Sequence, residues 1–391
     1  MTEDHKHTAD PVSSGKTAAA SRPFRIAHAA ADDWAHAAQA CADQLGPLEG
    51  ECNLGFLYAS DQFAGDLAKI VNYLKQHTGL TTWIGTVGTG ISAGDCEYTD
   101  RTALAVMAAS FADGSFRVFP AISRDPTQLS AANRAWITSV SPGFGIVHGD
   151  PGNPETPRLV SELARHTAGF LVGGLTSSRG ACHQLAGRVT GGGVSGVLFA
   201  PSVAVQTGLS QGCTPVGPSH LISDCVENVL IGLDGRRALD VFKEDVGELL
   251  ARDLSRVAGY IHAALPLPGC DTGDYMVRNL MAIDPVHGWL AIGERVAPGD
   301  RVVFVRRDPL AARDDLRAML GNLRGRLGES SRGGIYFSCV ARGANMFGAP
   351  GVELAILREV LGDLPVIGVS CAGEISNGRL YGYTGVLAVF G

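Results

Sequence analysis

The sequence predicts an α/β fold with α+β character, in which two pseudo-related domains each contain a mixed sheet covered by helices. Two segments support this prediction because each places an apolar strand, a helix, a second strand and a third apolar strand in the same order. The segments span 54–107 and 334–390, and the dipeptides Ile84-Gly85 and Ile367-Gly368 mark corresponding positions in them. The shared order favours duplication, since short glycine-containing matches alone arise by chance.

The first segment opens with residues 54–60, whose apolar composition predicts a buried strand. Apolar residues then recur at helical spacing between Gly65 and Gly79, which predicts a helix with Gly79 as its C-cap. The stretch 83–94, WIGTVGTGISAG, is expected to form a small-residue turn before the apolar strand 103–107.

The second segment repeats this order with the strand 334–340, the helix 352–361 before Gly362, the turn 366–378 (VIGVSCAGEISNG) and the strand 385–390. Only this copy of the turn carries reactive side chains, Cys371 and Glu374. In the N-terminal copy, Ile91 stands where Glu374 stands in the other. The C-terminal copy is therefore where we expect chemistry.

The remaining elements and boundaries follow from caps and breaks. Thr156-Pro157 and Asp308-Pro309 each combine an N-cap with a first-turn proline, and they predict helices toward His166 and Leu327. Further strands are expected over 170–174, 194–199 and 202–208, with antiparallel hairpins over 194–208 and 381–390.

Three regions are expected along the chain. Residues 1–23 are polar and predict a disordered tail. The turn at 233–236 precedes an amphipathic helix over 237–254, so it separates an N-terminal module, 24–232, from a C-terminal module, 233–391.

The composition excludes several classes of protein. With 391 residues, 45% of them hydrophobic, the chain can form two or three domains with real cores. Its net charge of −7 argues against nucleic acid and anionic membrane surfaces as partners. The nine cysteines form no C-x-x-C pair and predict reduced thiols. No uncharged apolar run approaches the length of a membrane span, so we expect a cytoplasmic protein.

Three polar residues are expected at one end of the C-terminal sheet. Arg342 and Asn345 follow the strand 334–340, and Glu374 follows the neighbouring parallel strand. A cation, an amide and an anion around a glycine-lined cavity suit the recognition of a small zwitterion or carboxylate. The alternative is that Arg342 and Glu374 form a salt bridge that only holds the turn.

Two residues are candidate nucleophiles, Ser92 and Cys371. Ser92 lies in GISAG, the pattern of a serine-hydrolase elbow, but a strand and not the required helix is predicted after it. Cys371 lies close to Glu374, whose charge raises the pKa of a neighbouring thiol. A small buried residue in a tight turn is the preferred interpretation of Cys371.

Two histidines occupy loops beside predicted strands. His148 is spaced from Asp150 as in an acid–base pair, although a histidine beside an Asp-Pro turn is the plainer interpretation. His148 and His183 are also candidates for a metal or haem ligand, a role that isolated histidines usually do not have.

Several stretches resemble the FIST (F-box and intracellular signal transduction) proteins. They are FLVGGLTSS at 170–178, LSQGCTPVG at 209–217, VRNLMAID at 277–284, VARGANMFG at 340–348 and VIGVSCAGEIS at 366–376. The resemblance covers nearly the whole chain after about residue 24, with the two modules as FIST N-terminal and FIST C-terminal modules. It implies a cytoplasmic sensor, not an enzyme, that binds a small ligand such as an amino acid.

The resemblance also implies partners and site residues. Members of the family work with histidine kinases, chemoreceptors and diguanylate cyclase systems, so a signalling partner in trans is expected. Similar stand-alone bacterial proteins bind haem as nitric-oxide sensors and act on a partner kinase, which makes haem the alternative ligand. The family-like positions are Arg342-Gly343, Gly373-Glu374 and Tyr383-Thr384; Asn345 and Cys371 complete the predicted ligand site.

Overall fold

The computed structural model describes residues 24–247, 257, 259–267, 275–328 and 331–391. The tail predicted over 1–23 and the end of the helix predicted over 237–254 lie outside these residues. In the described part of the chain, three stretches fold on one plan: strand, helix, strand, helix, strand, crossing segment and returning strand.

Repeats 1 and 2 follow this plan without interruption. Repeat 1 consists of β1 (Arg25–Ala30), α1 (Trp34–Leu45), β2 (Leu54–Ser60), α2 (Leu67–Thr78), β3 (Trp83–Gly88), β4 (Gly90–Ala93), β5 (Cys96–Thr99) and β6 (Ala103–Ala109). Repeat 2 consists of β7 (Phe116–Ile122), α3 (Ala131–Val140), β8 (Phe144–Gly149), α4 (Thr156–Thr167), β9 (Phe170–Thr176), β10 (Gln184–Ala186), β11 (Arg188–Thr190) and β12 (Val194–Phe199). Short 3₁₀ turns precede α2 and α3, at Asp61–Asp66 and Pro126–Gln128.

Repeat 3 contains a large insert after its first strand, β13 (Val205–Ser210). The insert consists of β14 (Cys213–Val226), β15 (Val229–Leu233), β16 (Arg236–Arg237), α5 (Ala238–Val246), β17 (Ile261–Pro266), β18 (Tyr275–Asp284), β19 (Trp289–Ile292) and β20 (Arg301–Arg307). The repeat then continues with α6 (Pro309–Arg326), β21 (Gly333–Cys339), α7 (Ala344–Phe347), α8 (Val352–Leu361), β22 (Val366–Ser376), β23 (Arg379–Tyr381) and β24 (Gly385–Phe390).

The three repeats have the same strand order. The orders are β1-β6-β2-β3, β7-β12-β8-β9 and β13-β24-β21-β22. In each repeat, the last two strands of this order are joined by a helix and are parallel. The other two neighbouring pairs are antiparallel. The two related units predicted from the sequence are repeats 1 and 3, and the structure adds repeat 2 between them.

One glycine recurs at the same register in all three repeats. Gly85, Gly173 and Gly368 pair with Leu57, Val147 and Tyr336 on the neighbouring parallel strand. A Cβ on Gly85 or Gly173 would lie only 1.7 or 1.8 Å from the opposite carbonyl oxygen, and both have a positive φ, near 155°. Only glycine fits there, which explains the Ile-Gly match seen in the sequence.

The repeats are joined in a cycle by their crossing segments. The segment after β3 pairs through β4 with β22, the segment after β22 (its own C-terminal half) pairs with β9, and the segment after β9 pairs through β10 with β3. The strands predicted at the start of 83–94 and 366–378 are present, but the turns predicted after them were wrong, because β4 and the C-terminal half of β22 are strands that cross between repeats. We call the three junctions seam 1, seam 2 and seam 3, after the repeat that receives the crossing segment.

The core lies on the approximate threefold axis of this cycle. Tyr58, His148 and Phe337 occupy equivalent positions, one residue after Leu57, Val147 and Tyr336. Their ring centroids lie 5.7 to 6.3 Å apart at the centre of one apolar core shared by the three repeats. Each repeat has a second core between its helices and the outer face of its sheet.

The insert forms a separate layer next to repeat 3. Its six long strands are antiparallel in the order β14-β20-β17-β18-β19-β15, and β15 pairs back onto β14, so this sheet closes on itself. Helix α5 packs on its interior core through Leu239 and Phe242. The insert therefore has its own core, while β18 approaches repeat 3 at β23.

Most of the predicted elements are present, and the mixed α/β architecture is confirmed. Helix α8 spans the predicted residues with Gly362 at its C-terminus, and Gly79 caps α2 in the left-handed conformation. The hairpin predicted over 194–208 was wrong, because β12 pairs with β7 and β8 while β13 pairs with β24. The hairpin predicted over 381–390 is also absent from this part of the structure, where β24 pairs with β21 and β13. No helix in the described ranges is long and apolar enough to cross a membrane.

Candidate functional site

The predicted site residues lie around seam 3, where the ends of β21 and β22 meet the β4–β5 hairpin of repeat 1. A cavity of about 330 Å³, which we call cavity 1, opens there. Its wall is rich in hydroxyl groups, which come from Thr89, Ser92, Thr99, Ser338 and Ser370. Cavity 1 is therefore built by repeats 1 and 3 together and is suited to a polar molecule.

Three predicted residues line cavity 1, namely Arg342, Gly343 and Asn345. They follow β21 in a loop that two glycines shape, since Gly343 has φ 56° and Gly351 has φ 75°. Glycine tolerates these angles at little cost. The loop folds back as the short helix α7 and then enters α8, which brings Asn345 to the rim as an exposed amide.

Arg342 does not bond Glu374, so the predicted salt bridge between them was wrong. Its Nε donates to Glu353 Oε1 at 2.7 Å, and both residues are buried. Glu353 also accepts from Tyr336 and Ser338, at 2.6 and 3.0 Å. The guanidinium lies 1% exposed over Phe347 and donates to backbone carbonyls. Arg342 is thus a fully bonded wall residue whose charge Glu353 neutralises.

Glu97 supplies the charge of cavity 1. It lies on β5, lines the cavity, and accepts a hydrogen bond from Gly351 N at 2.6 Å at the start of α8. No ion pair of Glu97 occurs among the described residues. Asp100, another acid of the wall, is paired with Arg179 at 2.8 Å. The cavity therefore has a net negative charge, centred on Glu97.

Glu374, Thr384 and Cys371 lie behind the cavity and not in its wall. Glu374 is fully buried, and its Oε2 accepts from Thr384 N and Oγ1 at 3.2 and 2.7 Å. Its Oε1 has no partner among the described residues, and burial raises the pKa of this carboxyl group well above its usual range. Burial, with a smaller contribution from Glu374, also raises the pKa of the Cys371 thiol. These groups are held neutral in the core.

Gly373 and Tyr383 face a different cavity. This second cavity, cavity 2, has a volume of about 590 Å³ and lies at seam 2, between the crossing segment of repeat 3 and strand β18 of the insert. The predicted site is therefore divided into three parts. Arg342, Gly343 and Asn345 line cavity 1, Gly373 and Tyr383 line cavity 2, and the remaining residues are buried between them.

The candidate nucleophile and histidines have structural environments. Ser92 lies inside β4, which continues into a hairpin and not into a helix, so a hydrolase elbow is absent there. His148 is 0% exposed between Tyr58 and Phe337, and burial lowers its pKa to about 3. Asp150 bonds Gly152 N and Gly192 N, so it does not pair with His148.

Neither histidine candidate fits a haem group in this structure. His148 is enclosed by the shared core, and neither His148 nor His183 contributes to the wall of cavity 1 or cavity 2. Within the described ranges, there is also no group of three or more His, Cys, Asp or Glu side chains that could hold a metal ion.

Two important residues, Glu353 and Glu97, were not predicted from the sequence. Glu353 looks like an ordinary first-turn helix acid, and nothing in its neighbourhood indicates that it turns inward to Arg342. Glu97 lies some 250 residues before the loop that it contacts. The one sequence signal for Glu97 is its position three residues after the N-terminal copy of the turn, 83–94.

Comparison with known proteins identifies the family of this chain. The family descriptions that match are the FIST N domain over residues 53–236 and the FIST C domain over residues 238–377. An uncharacterised protein of Mycobacterium tuberculosis, Rv0628c, is 30% identical over 386 residues, which cover 93% of this chain and 96% of that protein. An uncharacterised protein of Mycobacterium bovis, Mb0898c, is 31% identical over 208 residues, 51% of this chain and 53% of its own. Since the two domain matches span most of the sequence, the chain belongs to the FIST family, whose domains are generally sensors in signal transduction.

Proposed function

We infer that this protein binds a small polar molecule with an amino group, such as an amino acid, in cavity 1, and signals its occupied state to a partner protein. The observation that carries this proposal is the position of Glu97, a carboxylate with no paired cation among the described residues, in a hydroxyl-lined cavity. An ammonium group is the natural partner of such a carboxylate.

The charge balance favours an amine over a simple carboxylic acid. Arg342 faces the cavity wall but is neutralised by Glu353 and held by backbone carbonyls. A ligand carboxylate would therefore have to rely on neutral donors, such as the Asn345 amide and the serine hydroxyls. A zwitterionic amino acid can use both sets of groups, with its ammonium at Glu97 and its carboxylate at the neutral donors.

The location of cavity 1 gives a physical route for signalling. The β4–β5 hairpin of repeat 1 is fixed to α8 of repeat 3 by Glu97 on Gly351 N and by Asp95 on Arg358, at 2.6 and 2.9 Å. A ligand that binds Glu97 competes with the first of these contacts. Binding thus acts on the junction of two repeats, and a differential affinity for two arrangements of that junction is what a sensor requires.

The output of the proposed sensor runs through a partner in trans. A histidine kinase, a chemoreceptor or a diguanylate cyclase is the class of partner expected for FIST domains. The test is to measure the activity of a candidate partner of this class with this protein in the presence and absence of ligand. A ligand response that persists in the Glu97→Gln variant would separate the output from cavity 1.

Calorimetric titration of the full chain tests ligand binding directly. Glycine, alanine and serine are compared with their N-acetyl derivatives, which lack the ammonium group. We expect the free amino acids to bind and the N-acetyl forms not to bind. Glu97→Gln should weaken binding by about tenfold or more, since hydrogen bonds to charged groups contribute about 1.5–3 kcal/mol.

Glu359→Gln is the matched control, because Glu359 is an exposed acid on the same helix, α8, that Glu97 contacts. This variant should bind like the unaltered chain. If no amine binds, or if Glu97→Gln binds as well as Glu359→Gln, the proposal is wrong.

A further inference from the structure

Cavity 2 occupies the position in seam 2 that corresponds to cavity 1 in seam 3. In seam 3, the ends of two parallel strands of repeat 3 meet the crossing segment of repeat 1, and in seam 2, the end of β9 meets the crossing segment of repeat 3. Seam 2 differs because the insert covers it with β18, from which Met276, Arg278, Asn279 and Met281 line the cavity. The covered cleft has a volume of about 590 Å³.

The wall of cavity 2 contains several large apolar and aromatic side chains beside its polar groups. Its large side chains come from repeat 2, repeat 3 and the insert, and they are Leu175, Met276, Met281, Leu380, Tyr381 and Tyr383. Met281 is 65% exposed. Methionine adapts its shape to different apolar surfaces, so this wall suits a ligand with a hydrophobic body.

The charge of cavity 2 is opposite to that of cavity 1. Arg278 is neutralised by Glu294, at 2.9 Å, and also donates to the carbonyl of Leu380 at 3.1 Å. Arg379 is exposed on β23, lines the cavity, and has no ion-pair partner within the described ranges. The net charge of the lining is therefore positive, which suits an acidic group at the mouth.

Tyr383, which lines cavity 2, has a strained backbone conformation, and such strain is common at functional sites. It has φ 64°, a left-handed conformation that is strained for a bulky residue and costs about 1–3 kcal/mol. Three contacts hold it there: its hydroxyl donates to Asn279 at 2.5 Å, and its ring lies 4.5 Å from the ring of His262 and 5.6 Å from Arg307. All three partners belong to the insert, so the insert fixes Tyr383 in the wall of cavity 2.

We propose that cavity 2 is a second binding site, which takes a hydrophobic carboxylate with an aromatic or branched apolar body. The apolar part packs between β18 and the crossing segment of repeat 3, and the carboxylate lies at Arg379. This site does not depend on cavity 1, because the two lining sets share only Cys339 and Val340.

Calorimetric titration of the full chain with 2-naphthoate tests this site, and 2-naphthalenemethanol serves as its uncharged analogue. We expect one naphthoate per chain, bound about fivefold or more tightly than the alcohol. Arg379→Gln should bring the naphthoate affinity down to that of the alcohol. Ala372→Phe should abolish binding of both, since Ala372 is an exposed residue of the cavity wall whose enlargement fills the cleft.

Arg188→Gln is the matched control, because Arg188 is the exposed first residue of β11, the corresponding crossing-hairpin strand of repeat 2. It should bind naphthoate normally, as should Glu97→Gln, which tests cavity 1 separately. Met281→Asp provides a second variant that leaves the backbone alone and should weaken naphthoate binding more than alcohol binding. Failure of naphthoate to bind, equal binding of acid and alcohol, or unchanged binding in both Arg379→Gln and Ala372→Phe would overturn the proposal.

Discussion

Seam 1 and seam 3 are equivalent positions in the cycle of repeats, but an ion pair bridges the first and a cavity occupies the second. In seam 1, Arg179 from the crossing segment of repeat 2 binds Asp61 at the end of β2, at 2.7 Å. In seam 3, Arg342 and Glu353 both belong to repeat 3. The pair that does bridge seam 3, Arg358 with Asp95 of the β4–β5 hairpin, is exposed on both sides. Seam 1 is thus bridged through a buried carboxylate, whereas the buried pair of seam 3 stays within one repeat and leaves the seam open to a ligand.

The largest effect is expected from breaking the buried pair of seam 3. Glu353→Ala leaves Arg342 charged, buried and without its carboxylate, which should lower the free energy of unfolding by about 3–5 kcal/mol. Urea denaturation followed by circular dichroism measures this change. Glu244→Gln is the control, since it removes a carboxylate from an exposed pair with Arg236 and should have no measurable effect. Equal stability of the two variants would mean that the Arg342–Glu353 pair does not hold the wall of cavity 1.

A second comparison uses the glycine that recurs in the repeats. Gly173→Ala would place a Cβ 1.8 Å from the carbonyl of Val147, whereas the Cβ of Gly368→Ala would lie 2.9 Å from that of Tyr336. We expect Gly173→Ala to lose about 3 kcal/mol or more, from strain at positive φ and from the clash. The loss in Gly368→Ala should be smaller, because Ser92 Oγ, the other close atom at 2.6 Å, can rotate away. Denaturation midpoints of the two variants test this ranking, and the reverse order would show that the close approach of Gly173 to the Val147 carbonyl does not set the cost.

These comparisons also show why part of the fold could be predicted. Helix α8 and the cap of α2 follow from local spacing and from Gly362 and Gly79, and these signals lie within a few residues. Repeat 2 was missed because its sequence, which reads Val172-Gly173 where the other copies have Ile-Gly, preserves the backbone requirement but not the letters. The crossing strands were predicted as turns because small residues are common in both.

The site was predicted less completely than the fold because it depends on contacts distant in sequence. The neighbourhood of Arg342 was correct, yet its partner is Glu353, and the charge of cavity 1 comes from Glu97 in another repeat. Ile91 does occupy the position equivalent to Glu374, since both lie one residue before the partner of the recurring glycine. Matching the two copies by sequence therefore identified equivalent positions. Whether the side chain at such a position lines a cavity or is buried in the core depends on how the crossing segments pair between repeats.

The third prediction concerns the axis, where repeat 2 has His148 at the position that Tyr58 and Phe337 occupy in repeats 1 and 3. Burial lowers the pKa of His148 to about 3, so the unfolded chain binds more protons below about pH 6.5. The contribution of His148 to the free energy of unfolding should therefore fall by about 2 kcal/mol as the pH falls from 6.5 to 5. His148→Phe, which copies Phe337, should remove this part of the slope. The buried His262, whose pKa is lowered to about 4, contributes a slope of the same sign, whereas Glu374 and His220, whose pKa values are raised in the folded chain, contribute slopes of the opposite sign. A variant with an unchanged pH profile of urea midpoints would place the protonation elsewhere.

The smallest effect is expected at seam 1, where Arg179 is 55% exposed and water screens the pair. Asp61→Asn should lower the Tm by about 2 °C, and the deficit should shrink in 1 M salt because the Debye length falls to about 3 Å. The hydrogen bonds from Arg179 lower the pKa of Asp61, so its contribution is present above about pH 4 and is lost as the pH falls further. Below that range, the variant and the unaltered chain should converge. A loss as large as that of Glu353→Ala, unaffected by salt, would show that the ion pair of seam 1 stabilises the fold as much as the buried pair of seam 3. The contrast between a closed and an open seam would then not arise from where the ion pair lies.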